Sequence, residues 1–119
     1  MYKRKLIMGI LPLTEQQLVR YCIDYLNTMG HFVWRNNSGL SHAQYINKEG
    51  KRTDRVWRAG IKGGSDIIGI AKDGKFIAIE CKIGNNKATA LQQMFIDDIT
   101  KRGGYAAIVY TPEQIEKIL

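Results

Sequence analysis

The sequence predicts a mixed α/β fold: one β-sheet flanked by helices, in the order α-β-β-β-α-β-α, with a possible polar hairpin after the first strand. Three observations predict it. Two short apolar runs, residues 67–71 and 75–79, are separated by the turn chemistry of Lys72-Asp73-Gly74 and read as an antiparallel hairpin. A capped helical pattern then joins that hairpin to another strand, a crossover that calls for parallel pairing, so the sheet is mixed. A length of 119 residues with 45% hydrophobic side chains fits a single domain, 1–119, with one modest core.

Each element has its own signal. Thr14-Glu15-Gln16-Gln17 is a capping-box start, and Leu18, Cys22, Leu26 and Met29 follow at helical spacing until Gly30. Residues 31–35 have the aromatic and branched content of a strand, and Asn36-Asn37-Ser38-Gly39 is loop by composition. Residues 40–62 are polar; Tyr45-Ile46-Asn47 and Arg55-Val56-Trp57 suggest two short strands around the Glu49-Gly50 turn. After the central hairpin, Gly84-Asn85-Asn86 is a loop. Thr89 then caps a second helix that turns Leu91, Met94, Phe95 and Ile99 toward the core and ends at Gly103-Gly104. Residues 105–110 read as a strand, and Thr111-Pro112 opens a short terminal helix with a cap and a proline at its first position.

A formal charge of +7 favours a polyanionic partner, nucleic acid first, although charge alone does not separate it from an anionic membrane surface. Cys22 and Cys81 are too few for a disulfide framework and read as buried thiols in a reducing, cytoplasmic setting. No stretch approaches the ~18 apolar residues of a membrane span. The basic and then apolar start, residues 1–11, is too short and lacks the cleavage site of a signal peptide.

The chemistry concentrates between Asp66 and Lys82. Side chains alternate between sheet faces with period two. If Lys72-Asp73-Gly74 is a three-residue loop with Gly74 left-handed, Ala71 pairs with Lys75, Asp66 falls opposite Glu80, and Asp66, Glu80 and Lys82 share a face at an open rim. A two-residue turn would pair Asp66 with Cys81 and send Glu80 and Lys82 to the other face. On one face, two carboxylates and the Cys81 backbone carbonyl offer the hard oxygens that Mg²⁺ takes, and Lys82 would position or help deprotonate a water and offset phosphate charge. The plainer alternative is that Asp66 caps a strand end while Glu80 and Lys82 form a solvated ion pair worth about 0–1 kcal/mol; residue type alone favours it.

A wider pattern changes the weighting. Gly63-Gly64-Ser65-Asp66-Ile67-Ile68-Gly69, residues 74–82 ending in Glu80-Cys81-Lys82, Gln92-Gln93-Met94-Phe95 and Gly103-Gly104 resemble the virus-type replication-repair nuclease (VRR-NUC) domain. Together with the first helix and residues 34–39, the likeness covers nearly the whole chain. That family belongs to the PD-(D/E)XK nucleases, so the resemblance implies a restriction-endonuclease-like core and DNA cleavage dependent on Mg²⁺ or Mn²⁺. It implies Asp66 and Glu80 as metal ligands, Lys82 as the catalytic lysine and Gln92 as a catalytic-site residue on the following helix. Ser65 stands where the family often has proline, which bears on backbone rigidity rather than chemistry. Glu15 matches a first-helix acidic position that holds metal in many relatives; its other role is to favour the helix N-terminus by its charge.

Small stand-alone members of the family resemble phage-encoded homodimers that cut branched DNA, including Holliday junctions, which would place this chain in a host cytoplasm. Arg35, Asn37, Lys48, Lys51, Arg52, Arg55, Arg58, Lys62 and Lys87 are the candidate DNA contacts, Arg58 and Lys62 foremost because they approach the Asp66 loop in sequence. Tyr2, Tyr45, Trp57 and Ile61 offer apolar area for a dimer interface or for the core. His31 and His42 are isolated and assigned to no metal. Two further readings stay open: a non-catalytic DNA-binding module on the same fold, and a sequence-specific restriction-type endonuclease.

Overall fold

The computed structural model describes residues 13–36, 40–58, 61 and 63–119, with the backbone alone for 40–45 and 54–58. The opening segment, Tyr2 included, lies outside the described residues, as do Asn37 and Lys62.

Helix α1 (Glu15–Thr28) begins on the capping box: the Thr14 hydroxyl accepts from the Gln17 N–H and the Gln17 Oε1 accepts from the Thr14 N–H. Two donors that no helical carbonyl reaches are thereby satisfied. Leu18, Cys22 and Leu26 are fully buried, joined by Val19 and Tyr21. Met29, the last residue of the helical spacing, is 43% exposed, because the helix ends at Thr28 and Met29 becomes its C-cap.

There follow β1 (Phe32–Arg35), β2 (Leu40–Ile46), β3 (Arg52–Arg58), β4 (Ile67–Ile70), β5 (Phe76–Cys81), α2 (Ala90–Lys101), β6 (Tyr105–Val109) and α3 (Pro112–Ile118). The main sheet runs β1-β4-β5-β6 and is mixed: β1, β4 and β5 pair antiparallel, and β5 pairs parallel with β6 after the crossover through α2. Strands β2 and β3 form a separate two-stranded sheet, longer than the two triplets singled out in the sequence.

The central turn has the three-residue form. Ile70 faces Phe76, the Ala71 N–H donates to the Lys75 carbonyl (2.7 Å), and the Gly74 N–H donates back to Ala71 (2.8 Å). Gly74 sits at φ +89°, the left-handed position this loop needs.

Ile77, Ile79 and Cys81 therefore leave β5 on one face and pack with Ile67, Val33 and Val109 under α1 and α3. Each such aliphatic side chain contributes about 1.5–3 kcal/mol on burial. Helix α2 covers the other face only over β5 and β6, where Ala78 and Ile96 are buried. Leu91 and Met94, expected to point inward, are 41% and 59% exposed. The inward stripe of α2 keeps the expected Phe95 and Ile99, both half-buried, and adds buried Ile96 and half-buried Gln92, since residues three and four apart share a helix face and Gln92 is committed to the sheet. Beyond α2 no element among the described residues covers this face: Phe32, Trp34, Ile70 and Phe76 are 40–67% exposed.

Candidate active site

The antiparallel ladder ends at Ile67↔Ile79, and one further step in the same register sets Asp66 opposite Glu80, the register expected from the sequence. Strand β4 stops there, so the Cys81 N–H has no ladder partner; Asp66 Oδ2 accepts it at 2.9 Å. Asp66 thus does cap the strand end, and it does so beside the Glu80 carboxylate. The Lys82 N–H donates to the Val109 carbonyl (3.0 Å), toward β6. Both main-chain polar groups of one strand residue point to the same side, and neighbours alternate. The Cys81 carbonyl accordingly faces Asp66. The Asp66 end is tied to β1 as well: the Asn36 N–H donates to the Asp66 carbonyl (2.7 Å) and Asn36 Nδ2 to the Ser65 carbonyl (3.1 Å).

Glu80 does not lie at an open rim. It is 2% exposed, because the first turn of α2 roofs it. Thr89 caps α2 through its own capping box, and in that box Gln92 Oε1 accepts from the Thr89 N–H (2.9 Å). With its oxygen so engaged, the Gln92 amide turns its nitrogen to Glu80 Oε2 at 3.1 Å. Lys82 Nζ lies 3.5 Å from the same oxygen. Glu80 Oε1 is buried and no donor reaches it; the side-chain hydrogen bond it can form is with the Asp66 carboxyl, which requires a proton between the two groups. Burial first, then the Asp66 carboxylate, push the Glu80 carboxyl up from 4.5 to about 7, and Lys82 pulls it back only in part. Gly63 sets the distance between the Asp66 loop and this roof. It stands at φ +82°, and a Cβ there would come within 2.7 Å of the Leu91 main chain.

A search of solved structures returns a chain titled VRR_NUC domain: 20% of residues are identical, the match covers 87% of this chain and 90% of that one, and the TM-score is 0.58. The chain has a VRR_NUC-type fold. No protein-family model matches the sequence, and no curated protein matches it significantly.

Within the VRR_NUC-type fold, Asp66, Glu80, Lys82 and Gln92 come together, with the Cys81 carbonyl on the same side. Glu15 does not join them by any bond to Asp66 or Glu80. Among the described residues no three His, Cys, Asp or Glu side chains form a metal-holding group. The donor set suits a hard divalent cation that keeps most of its waters: two neighbouring carboxylates, one with an oxygen that no donor reaches, and a main-chain carbonyl on the Asp66 side. Cys81 itself faces the core, its Sγ 4.0 Å from that of Cys22; the neighbouring thiol and burial push it up, and it stays a protonated thiol.

Of the cationic candidates, Arg35 ends β1 at the Asp66 end of the sheet, on the face of buried Val33 rather than that of Glu80. It lines a groove of about 900 Å³ with Thr14, Gln16, Gln17, Val19, Arg20, Ile23 and Asp24. Arg20, which the sequence did not single out, lines the same groove; nothing in the α1 pattern distinguishes it from a solvated helix cation. Lys87 is exposed in the loop before α2. Arg55 and Arg58 lie on β3, and their side chains are outside the described residues, as is Lys62. His31 is buried, its Nδ1 accepting from the Lys72 N–H (3.1 Å), a structural role.

Proposed function

We propose that this chain is a nuclease that hydrolyses DNA phosphodiester bonds with Mg²⁺ or Mn²⁺, acting on branched DNA such as four-way junctions as a homodimer. The observation that carries the reading is Glu80: a buried carboxylate with one orphaned oxygen, set against a second carboxylate and held by a lysine and a glutamine. A plain solvated ion pair would not be roofed in this way. Asp66, Glu80 and the Cys81 carbonyl would hold the cation. Bound there, it supplies charge neutralisation at the phosphate and a more acidic water. Lys82 orients the attacking water and offsets the charge that develops on the phosphate. Gln92 keeps the Glu80 carboxylate in one orientation, and Asp66 keeps the strand end from fraying.

Homodimerisation is supported by the bare half of the sheet face. Phe32, Trp34, Ile70 and Phe76 lie side by side there, an apolar patch of the kind that marks a protein contact. Symmetric cleavage of two strands needs two sites related by a two-fold axis. The test is a cleavage panel: wild type and Asp66→Ala with labelled four-way junction, flap and linear duplex in Mg²⁺, and sedimentation of the wild type. Cleavage of the branched substrates by wild type alone is expected. No cleavage across the panel, or equal cleavage by both proteins, would remove the nuclease reading.

A further inference from the structure

Strands β2 and β3 pair with each other over seven residues each, and no other element packs on them beyond marginal contact among the described residues. A two-stranded ribbon alone is marginal in water, so it calls for something outside the core to grip. Its root is set by connectivity. β1 leaves the sheet at Arg35, β4 re-enters at Ile67, and Arg35 pairs with Ile67, so the ribbon departs from the end of the sheet that carries Asp66, Glu80 and Lys82.

The tip is ordered by one side chain. Asn47 Oδ1 accepts from the N–H groups of Glu49 and Lys51 (both 3.0 Å), Asn47 Nδ2 donates to Thr53 Oγ1 (3.2 Å), and the Asn47 N–H donates to the Lys51 carbonyl (2.9 Å). The Gly50 N–H closes the turn on the Asn47 carbonyl (3.0 Å). Lys48, Lys51 and Arg52 are exposed on this fixed loop, and none pairs with a described carboxylate. From residue 46 to 58 the ribbon has five cations, Lys48, Lys51, Arg52, Arg55 and Arg58, against the two carboxylates Glu49 and Asp54. A two-stranded ribbon fits the major groove of duplex DNA, which is about 12 Å wide, and the basic charge of this one suits the phosphates that line it.

We propose that the β2–β3 ribbon is a DNA-gripping arm whose 47–52 tip enters a groove of the duplex flanking the cut and contacts its phosphates without reading sequence. The inference rests on the nuclease reading for its substrate. The arm supplies affinity and placement, and the Asp66–Glu80 end supplies the chemistry.

The test uses full-length protein with all three tip cations replaced (Lys48→Ala, Lys51→Ala and Arg52→Ala), alongside Asn47→Ala and Asp66→Ala. Binding to a labelled 30-base-pair duplex and a four-way junction is measured in EDTA across a salt series. Each lost phosphate contact removes ~0.9 from the slope of log K against log salt. The triple variant is expected to lose roughly 2–3 of that slope and at least tenfold in affinity at low salt, with KM raised and kcat at saturation kept. Asn47→Ala keeps the charges, so its slope should hold while affinity falls. Unchanged affinity and slope in the triple variant would overturn the arm, and so would a change confined to the sedimentation mass, which would make the ribbon an interface between two copies. Asp66→Ala separates the two claims: cleavage at the wild-type rate sinks the nuclease reading, whatever the binding series shows for the arm.

Discussion

Replacing Glu80 with glutamine gives a sharp test of the site because it changes one charge in a place where the consequence can be worked out. In the metal-free protein the folded-state pKa of Glu80 is raised from 4.5 to about 7, by burial first and then by Asp66. Between those values the folded state holds a proton that the unfolded chain has released, so stability falls as pH rises, by ~1.4 kcal/mol per pH unit. The contribution is fully present below pH 4.5 and is lost as pH passes 7, a total of ~3 kcal/mol. Glutamine keeps the shape, still accepts from Gln92 and has no proton to lose. Urea unfolding of both proteins in EDTA, from pH 4.5 to 8.5, should show the variant gaining on the wild type by up to ~3 kcal/mol as pH rises. Added Mn²⁺ should then stabilise the wild type above pH 7 and leave the variant nearly unmoved. A stability difference that stays flat with pH would refute the reasoning, for it would mean that Glu80 ionises in the folded protein as it does in water.

Three further outcomes are expected. Thr89→Ala should cost about 1 kcal/mol of stability through the lost cap and, by freeing the Gln92 amide, depress cleavage more than that destabilisation accounts for; activity measured well below the melting temperature checks it. Gly63→Ala should destabilise by on the order of 2–3 kcal/mol, since the residue needs a positive φ and its Cβ would press on the Leu91 main chain, and circular dichroism melting reads this directly. Arg35→Ala should leave stability within about 0.5 kcal/mol while reducing the salt slope of DNA binding by about one; an unchanged slope would take the α1 groove out of the DNA path.

Much of the site was legible because it depends on period-two alternation and one turn. Once Lys72-Asp73-Gly74 is a three-residue loop, the positions of Asp66, Glu80 and Lys82 follow by counting. The caps at Thr14, Thr89 and Thr111 were legible for the same local reason. What eluded the sequence was tertiary. The burial of Glu80 depends on how closely Gly63 lets α2 approach, and a one-dimensional pattern does not show a close approach. For α2 the sequence placed Phe95 and Ile99 correctly and Leu91 and Met94 wrongly, because its apolar residues surround more than one face and the polar Gln92, bonded to Glu80, helps decide which face turns inward. Spacing carried the helical pattern through Met29, and spacing does not register that the helix ends one residue earlier. The separate β2–β3 ribbon was visible as a composition of turn and strand residues, but nothing local says that it lacks a packing partner.

Asp66, Glu80, Lys82 and Gln92 all fall within 27 consecutive residues, 66 to 92. The carboxylates, the lysine and the amide that steadies them are therefore assembled by one hairpin, one loop and one helical turn, through contacts of short sequence separation that form early and cheaply in a folding chain. Helix α1 and strand β1 reach the cluster only from outside this segment, as a floor and a side wall. The chain thus separates a compact cluster of candidate reacting groups from a surrounding frame, and drift in residues 13–58 can reshape that frame while leaving the four side chains in place.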